Sequence, residues 1–412
     1  MTRIEPKNAQ VLVTGVTGFV GSHVAQQLLL HGYKVRGTVR SASNESRMNK
    51  LREQLTDGLP SDGLPELEFF EADLLKEDIW PQAVAGCQYI CHVASPFPLQ
   101  IPNDPDVLIK PAVEGTLTIL RAAANDGNVK RVVLTSSLAA IHDVKTLDSK
   151  QQRENPDKLF NEDDWVDPDQ VEAYSRSKIL AEKAAHKFVE ELPQEEGKKK
   201  LELVVINPAY VLGPLITDNL SSSLLGVKRM LDKTMPGVPK FNMAVCDVRD
   251  VALAHVKSLE GAEHVGKRYL ILSECIWMKD IARMMQKEFK PLGYFVPTMT
   301  VPSTLVWLGS YFDRSTALVV PRLDKEFKLD NRRMIEELKI EPTSPEKTLI
   351  DTCHSLIEKG IIKPSRKYKK SKQPAPAKGD ATTDDSVPSD STPAATGDSA
   401  QQQQQQPEPV QA

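Results

Sequence analysis

Short runs of apolar, often β-branched residues recur along the first half of the chain, and between them apolar positions return every three or four residues. The runs Gln10 to Thr14, Lys34 to Val39, Leu67 to Glu71, Tyr89 to Val93, Arg131 to Thr135 and Leu201 to Ile206 predict strands, apolar through most of their length as parallel strands covered on both faces are. The intervening stretches Phe19 to His31, Glu45 to Leu55, Val107 to Asn125 and Val171 to Glu191 predict helices. Strand and helix in steady alternation define an α/β fold with a doubly wound parallel sheet, expected over residues 8–208. After Pro208 the alternation breaks into a Ser-, Gly- and Pro-rich stretch from Gly213 to Pro239, and helical periodicity resumes at Asp247 to Leu259. Residues 209–362 are therefore expected to form a smaller substrate-binding lobe interleaved with the main sheet.

Two segments stand outside this pattern. Val301 to Val320 is largely apolar but interrupted by Asp313 and Arg314, so it does not supply the roughly 20 mostly apolar residues of a membrane span, and predicts a core helix or a helix pair. From Lys363 the chain turns lysine-rich (PSRKYKKSKQ), then rich in Ala, Thr, Ser, Asp and Pro, and then reaches the run Gln401 to Gln406. With almost nothing apolar to bury, residues 363–412 are expected to be a disordered, solvated tail.

Composition narrows the function. The 412 residues carry a formal net charge of -4, and 26% are charged, so no chain-wide basic field exists to hold nucleic acid or an anionic membrane. Cys87, Cys91, Cys246, Cys275 and Cys353 form no CxxC pair and no Cys/His metal spacing, so no disulfide framework and no metal site is expected. The N-terminal MTRIEPKNAQ lacks the apolar stretch of a secretory leader. A reducing, cytoplasmic setting follows as the expectation, and the Asn-x-Ser sites at Asn44 and Asn219 are then chance matches. Nothing in the pattern sets an oligomeric state.

The first strand feeds VTGVTGFVGSH, which places Gly15, Gly18 and Gly21 in a GxxGxxG turn just where a helix begins. Glycines permit the tight turn and close backbone approach, while the amides and positive end of the helix hold a pyrophosphate. Gly15, Thr17, Gly18, Phe19, Val20 and Gly21 are thus candidate dinucleotide contacts. The second strand ends at Arg40 without an adjacent acid, and Arg47 follows at the start of a helix. A site for NAD usually puts a carboxylate there to meet the ribose hydroxyls, whereas cations suit the extra phosphate of NADP(H), so NADP(H) is favoured. Glu45, between the two arginines, is the competing acid, and Arg36, further back in the strand, is expected to point to solvent.

In FFEADL, Asp73 and Leu74 end the third strand, where a carboxylate can accept from the adenine amino group. In YICHVASP the small residues Val93, Ala94 and Ser95 end the fourth and let the cofactor backbone lie close. Then VVLTSS, with Thr135 and Ser137, closes the fifth strand, and EAYSRSK sets Tyr174 and Lys178 four apart on one face of the next long helix. An ammonium there would favour the phenolate of a group whose free pKa is near 10, making Tyr174 a general acid. Ser137 would donate to a substrate carbonyl oxygen as charge develops.

GVTGFVGSH, HVASP, VVLTSS, YSRSK, NPAYVLGP and DVRDVALAH occur in an order that resembles the extended short-chain dehydrogenase/reductases, in particular their dihydroflavonol reductase-like and aldehyde reductase-like branch, over about Val11 to Lys359. The resemblance implies that Ser137, Tyr174 and Lys178 are the catalytic trio, that Lys178 also touches the nicotinamide ribose, and that Pro208 to Val211 lie beside the nicotinamide. It implies an oxidoreductase in which a small carbonyl compound is reduced by hydride from NADPH and a proton from Tyr174. Plant dihydroflavonol reductases carry Asn or Asp five residues after the serine, where this chain has His142. Cinnamoyl-CoA reductases resemble NWYCYGK around the tyrosine, where this chain reads VEAYSRSK. Both departures point away from those two substrates. His142 is expected either to contact substrate or to lie solvated in a loop. Two competing readings share the fold: a nucleotide-sugar epimerase or dehydratase with tightly bound NAD, and a cofactor-sensing protein without catalysis.

Overall fold

The structure is a computed structural model that describes residues 5, 7–95, 104–143, 158–193, 200–311 and 319–372. All six predicted strands form: β1 (Gln10–Val13), β2 (Lys34–Val39), β3 (Leu67–Glu71), β4 (Tyr89–His92), β5 (Arg131–Thr135) and β6 (Glu202–Pro208). The predicted helices form with them: α1 (Phe19–Leu30), α2 (Glu45–Thr56), α4 (Asp106–Asp126) and α5 (Ala173–Glu191), with a short α3 (Trp80–Val84) before β4. The lobe adds α6 (Leu225–Leu231), β7 (Tyr210–Leu212), β8 (Val238–Pro239), β9 (Asn242–Asp247), α7 (Val248–Lys257), β10 (Arg268–Ile271), β11 (Glu274–Trp277), α8 (Met278–Phe289), β12 (Thr300–Val301), α9 (Ser303–Gly309), α10 (Arg332–Glu336), α11 (Pro345–Glu358) and α12 (Arg366–Ser371).

The main sheet has seven strands in the order β10-β6-β5-β4-β1-β2-β3, all paired in parallel. Strand pleating explains the apolar runs. In β1, Leu12 faces one layer with Ile119 and Leu120 of α4, while Val11 and Val13 face the other with Val24 and Leu28 of α1. The same alternation sends Val132 and Leu134 one way and Val133 the other in β5. Each such fully buried Leu or Val contributes roughly 1.5–3 kcal/mol. The order reverses between β1 and β4, and the crevice above the carboxyl ends of that pair is where an open α/β sheet receives its ligand.

The lobe is interleaved with this sheet. β10, far along the chain, returns to pair with β6, and α7 packs on α1. The rest of the lobe forms its own core around the small sheet β11-β9-β7, with Leu224, Val227, Met285, Phe289, Leu349 and Leu356 filling it.

Two expectations change. The ordered chain runs past Lys363: Ser365 caps α12 by accepting from the Tyr368 amide, and Tyr368 is only 4% exposed, edge-on to Tyr294 and packed on His354. One aromatic anchor in a lysine-rich segment is enough to seat a short helix, and the main unit extends to Lys372. The expected disorder of the remaining tail, residues 373–412, lies outside the described residues. For Val301 to Val320 the core-helix alternative does not form, since α9 buries Val306 but leaves Leu305, Trp307 and Leu308 more than half exposed; the second member of a helix pair would fall on residues 312–318, which lie outside the described residues. Among the described residues no helix is long and apolar enough to cross a membrane.

Truncation after Ile362, or Tyr368→Ala, is expected to lower the melting temperature by several degrees, because losing a buried aromatic costs about 3 kcal/mol. Truncation after Lys372 removes a segment with little apolar surface and should leave the transition within a degree of the full chain. Thermal unfolding of the three variants followed by circular dichroism checks both, and equal transitions for all three would show that α12 adds nothing.

Candidate active site

The glycine turn follows β1. Gly15 has φ +72°, a conformation side chains rarely adopt, and a Cβ on Gly21 would stand 2.3 Å from the Gly15 carbonyl oxygen. Gly18, at the N-cap of α1, carries no side chain to cap the first turn, and no acid follows within that turn. The helix N-terminus therefore keeps unspent amides and its positive end. The turn is fixed from three sides. Thr38 of β2 accepts from the Gly15 amide at 3.0 Å, the Gly18 amide donates to the Gly15 carbonyl at 2.9 Å, and Asn219 donates from the lobe to the Thr17 carbonyl at 2.9 Å.

Thr14 joins the turn to the end of β4. Its hydroxyl oxygen accepts from the Val93 and Ala94 amides, both at 2.9 Å, and lies 3.0 Å from His92 Nδ1. Two incoming donors leave the hydroxyl proton for His92 Nδ1, so the ring proton sits on Nε2. Burial, helped by the charge of Lys178, pushes His92 down to about 3, and the ring is neutral. The sequence reading missed His92; its only signal was its place at the end of a predicted strand.

The other candidate cofactor residues divide. Val93, Ala94 and Ser95 are half-buried beside the glycine turn, with Ala94 Cβ 3.1 Å from where a Cβ on Gly15 would stand. Arg40 and Arg47 are both exposed at the end of β2 and in the first turn of α2, and among the described residues neither side chain has a polar partner. Glu45 is exposed nearby, and Glu71 of β3, missed from the sequence, accepts from the Ala42 amide at 2.8 Å. Arg36 does not point to solvent: it pairs with Glu68 and donates to the carbonyls of Ala83 and Ala85. Asp73 is half-buried past β3 and accepts from the Leu75 amide, and Leu74 lies against Gly115 of α4. Phe19 and Thr135 turn elsewhere. Phe19 is buried in the lobe core edge-on to His23, and the Thr135 hydroxyl bonds His255 of α7 at 2.6 Å, leaving the backbone of each to face the crevice. Val20 is half-buried against both cores, Pro208 is buried at the end of β6, and Val211 is half-buried in β7.

Ser137, at the carboxyl end of β5, begins a 3-10 turn by accepting from the Ala139 amide at 3.2 Å, and its hydroxyl acts on the Tyr174 phenol. Burial holds the Tyr174 phenol above its ordinary value, against the Ser137 hydroxyl and the charge of Arg322. Lys178 follows Tyr174 by one turn of α5 and its charge bears on His92, while the charge of Arg322 bears on the phenol. Lys178 is 9% exposed and pushed down to about 8 by burial, opposed by Glu182 one turn further along α5.

Glu182 has no exposed surface. It accepts from Ser136, from Asn207 Nδ2 at 2.8 Å and from Arg268 Nε at 2.5 Å, and Asn207 also donates to the Ser137 carbonyl at 3.2 Å. Arg268 lies 3.8 Å from the face of Trp165 and donates to the carbonyls of Glu162 and Asp164. A small cavity behind the serine turn is lined by His92, Thr116, Ser136, Lys178 and Glu182. Among the described residues no cluster of His, Cys, Asp and Glu could hold a metal ion.

The switch-point crevice, the glycine turn and the Ser137–Tyr174 pair define a Rossmann-type dinucleotide-fold protein of the extended short-chain dehydrogenase/reductase kind. The sequence model of the NAD dependent epimerase/dehydratase family matches residues 11–271, and the chain belongs to that family. It is 33% identical over 358 residues to cinnamoyl-CoA reductase 1 of Petunia hybrida, spanning 85% of this chain and 93% of the relative. It is also 33% identical over 301 residues to dihydroflavonol 4-reductase of Solanum lycopersicum, spanning 71% and 72%. Among solved structures, yeast methylglyoxal/isovaleraldehyde reductase Gre2 complexed with NADPH superposes with a TM-score of 0.68 at 28% identity, covering 86% of this chain and 100% of the yeast one.

The state of Lys178 has a thermodynamic consequence. The unfolded value is 10.5 and the folded value about 8, so the ammonium opposes folding at pH 7 and its penalty fades as pH rises from 8 toward 10.5. Lys178→Met is expected to stabilise the cofactor-free protein by about 3 kcal/mol at pH 7, with a smaller gain at pH 9.5. Calorimetry at both pH values checks this; a variant less stable than wild type at pH 7 would show the ammonium to be favourably placed.

Proposed function

We propose that the chain is an NADPH-dependent reductase of a ketone or aldehyde in which Tyr174 supplies the proton. The observation that carries this reading is the Ser137 hydroxyl acting on the Tyr174 phenol at the carboxyl end of β5, together with a glycine turn whose Gly21 has no room for a side chain. The relatives named as reductases and the NADPH complex of the structural neighbour support it.

The residues fit a dinucleotide. The α1 turn from Gly15 to Gly21 would hold the pyrophosphate, Arg40 and Arg47 the additional phosphate, Asp73 and Leu74 the adenine, and Val93 to Ser95 with the Thr135 backbone the middle of the cofactor. Lys178, Pro208 and Val211 would border the nicotinamide end. When bound, the cofactor supplies a hydride to the carbonyl carbon. Tyr174, held in the phenol form by burial, gives its proton to the carbonyl oxygen, and Ser137 donates to the same oxygen as charge grows there. Carbonyl, hydride and proton give an alcohol and oxidised cofactor, and solvent returns the proton to Tyr174.

Tyr174→Phe is expected to lower kcat by about a hundred- to ten-thousand-fold while NADPH affinity stays nearly unchanged, since the ring remains. Stopped-flow NADPH oxidation with fluorescence titration of the cofactor measures both, and retention of a tenth of wild-type kcat would remove Tyr174 from the mechanism. Cofactor choice is tested by changing Arg40 and Arg47 together to Ala, which should weaken NADPH binding roughly thirty- to a thousand-fold, about 2 to 4 kcal/mol, and alter NADH binding little. A wild type that already prefers NADH would assign the ribose to Glu45 or Glu71 instead.

A further inference from the structure

The chain that returns from the lobe toward the site carries a cation without a partner among the described residues. Arg322 ends the turn Val320–Arg322, next to Leu323, which bridges to Phe241 at the head of β9. Five residues beyond Arg322, Phe327 is buried with its ring 4.9 Å from that of His142, and Phe160 covers His142 at 4.4 Å. Residues 320–327 thus run from the small sheet to the turn that carries Ser137. Arg322 is close enough to act electrostatically on Tyr174, Tyr210 and His142 together. Other cations on this side are spoken for: Lys158 by Asp164, Arg268 by Glu182, Arg332 by Asp330 and Arg333 by Asp163. Among the described residues no carboxylate or carbonyl accepts from Arg322, although it is half-buried.

His142 supplies an independent observation. It is 4% exposed, not solvated, and among the described residues neither ring nitrogen has a hydrogen-bond partner. Burial keeps it neutral, so it offers one donor and one acceptor, both unmet. Buried groups of this kind call for a polar occupant, and a half-buried guanidinium beside them calls for an anion.

We propose that the site selects a carbonyl substrate that also bears a carboxylate, an oxo acid, with Arg322 as the counter-charge and His142 hydrogen-bonding the same molecule between Phe160 and Phe327. This rests on the reductase reading. The carbonyl oxygen takes the place between Ser137 and Tyr174, and the carboxylate, unchanged by the reaction, sets which end of the molecule enters first.

The test pairs 2-oxobutanoate, 3-oxobutanoate, 4-oxopentanoate and 5-oxohexanoate with their methyl esters, because ester and acid differ in charge and little in shape. Calorimetric titration into the full chain loaded with NADP+ reads binding without turnover. At least one acid is expected to bind tenfold or more tighter than its ester, and Arg322→Gln should lower that ratio at least tenfold. Arg322→Lys, which keeps the charge, should hold part of the preference, and His142→Phe should weaken the acid and its ester alike. Equal binding of acids and esters by wild type, or an unchanged ratio in Arg322→Gln, would overturn the proposal. NADPH oxidation with the same compounds is read separately. If none is reduced while the acid preference is present, the reductase reading fails and the anion site stands; if the esters are reduced as well as the acids and bind as tightly, the anion site fails and the reductase reading stands.

Discussion

A carboxylate with no exposed surface, Glu182, is the constraint on which the site's geometry depends. Burying a charge is tolerable only when it is paired and its lone pairs are met, and the partners of Glu182 come from three separate strands or strand ends: Ser136 after β5, Asn207 in β6 and Arg268 in β10. The requirement therefore reaches across the chain. β10 must return beside β6 for Arg268 to meet the carboxylate, and Arg268 in turn holds the carbonyls of Glu162 and Asp164, fixing the segment that covers the site. Because Glu182 sits on α5 with Lys178 and Tyr174, and Asn207 also holds the Ser137 carbonyl, one pairing requirement sets helix, serine turn and lobe in a common register.

The same dryness governs charge inside the crevice. Burial drives His92, His142 and Lys178 toward their neutral forms and keeps the Tyr174 phenol protonated. A site so arranged holds its proton on the phenol and presents few competing charges, which strengthens whatever field a single guanidinium exerts. The Lys178 ammonium acts toward His92 and Glu182, while Arg322 acts on the side where Tyr174, Tyr210 and His142 meet.

The first six strands and their helices were legible because each strand is apolar on both faces and each helix repeats its apolar residues at helical spacing. β10 was not, since RYLI is only a short apolar run within an irregular stretch, and what recruits it is Arg268, whose partner lies 86 residues away in sequence. β7, β9 and β11 escaped for the same reason, being short and paired across long separations. The lysine-rich appearance of the segment after Lys363 hid a helix because one residue, Tyr368, does the anchoring. In the site, Ser137, Tyr174, Lys178 and the glycine turn were legible from local spacing. Glu182, His92 and Arg322 act only through neighbours brought by the fold, and no local pattern marks them.

The glycine turn and the lobe are joined by direct hydrogen bonds. Thr17 gives its carbonyl to Asn219 and Thr217 of the lobe, while the Gly15 and Gly18 amides of the same turn are spent on Thr38 and on the Gly15 carbonyl. The 213–216 stretch is in turn held to α11 by Thr352, by Ser355 and, just beyond that helix, by Lys359, and to α1 by His23 on the Pro214 carbonyl. The glycine turn, the lobe and α11 are therefore joined in one hydrogen-bonded chain.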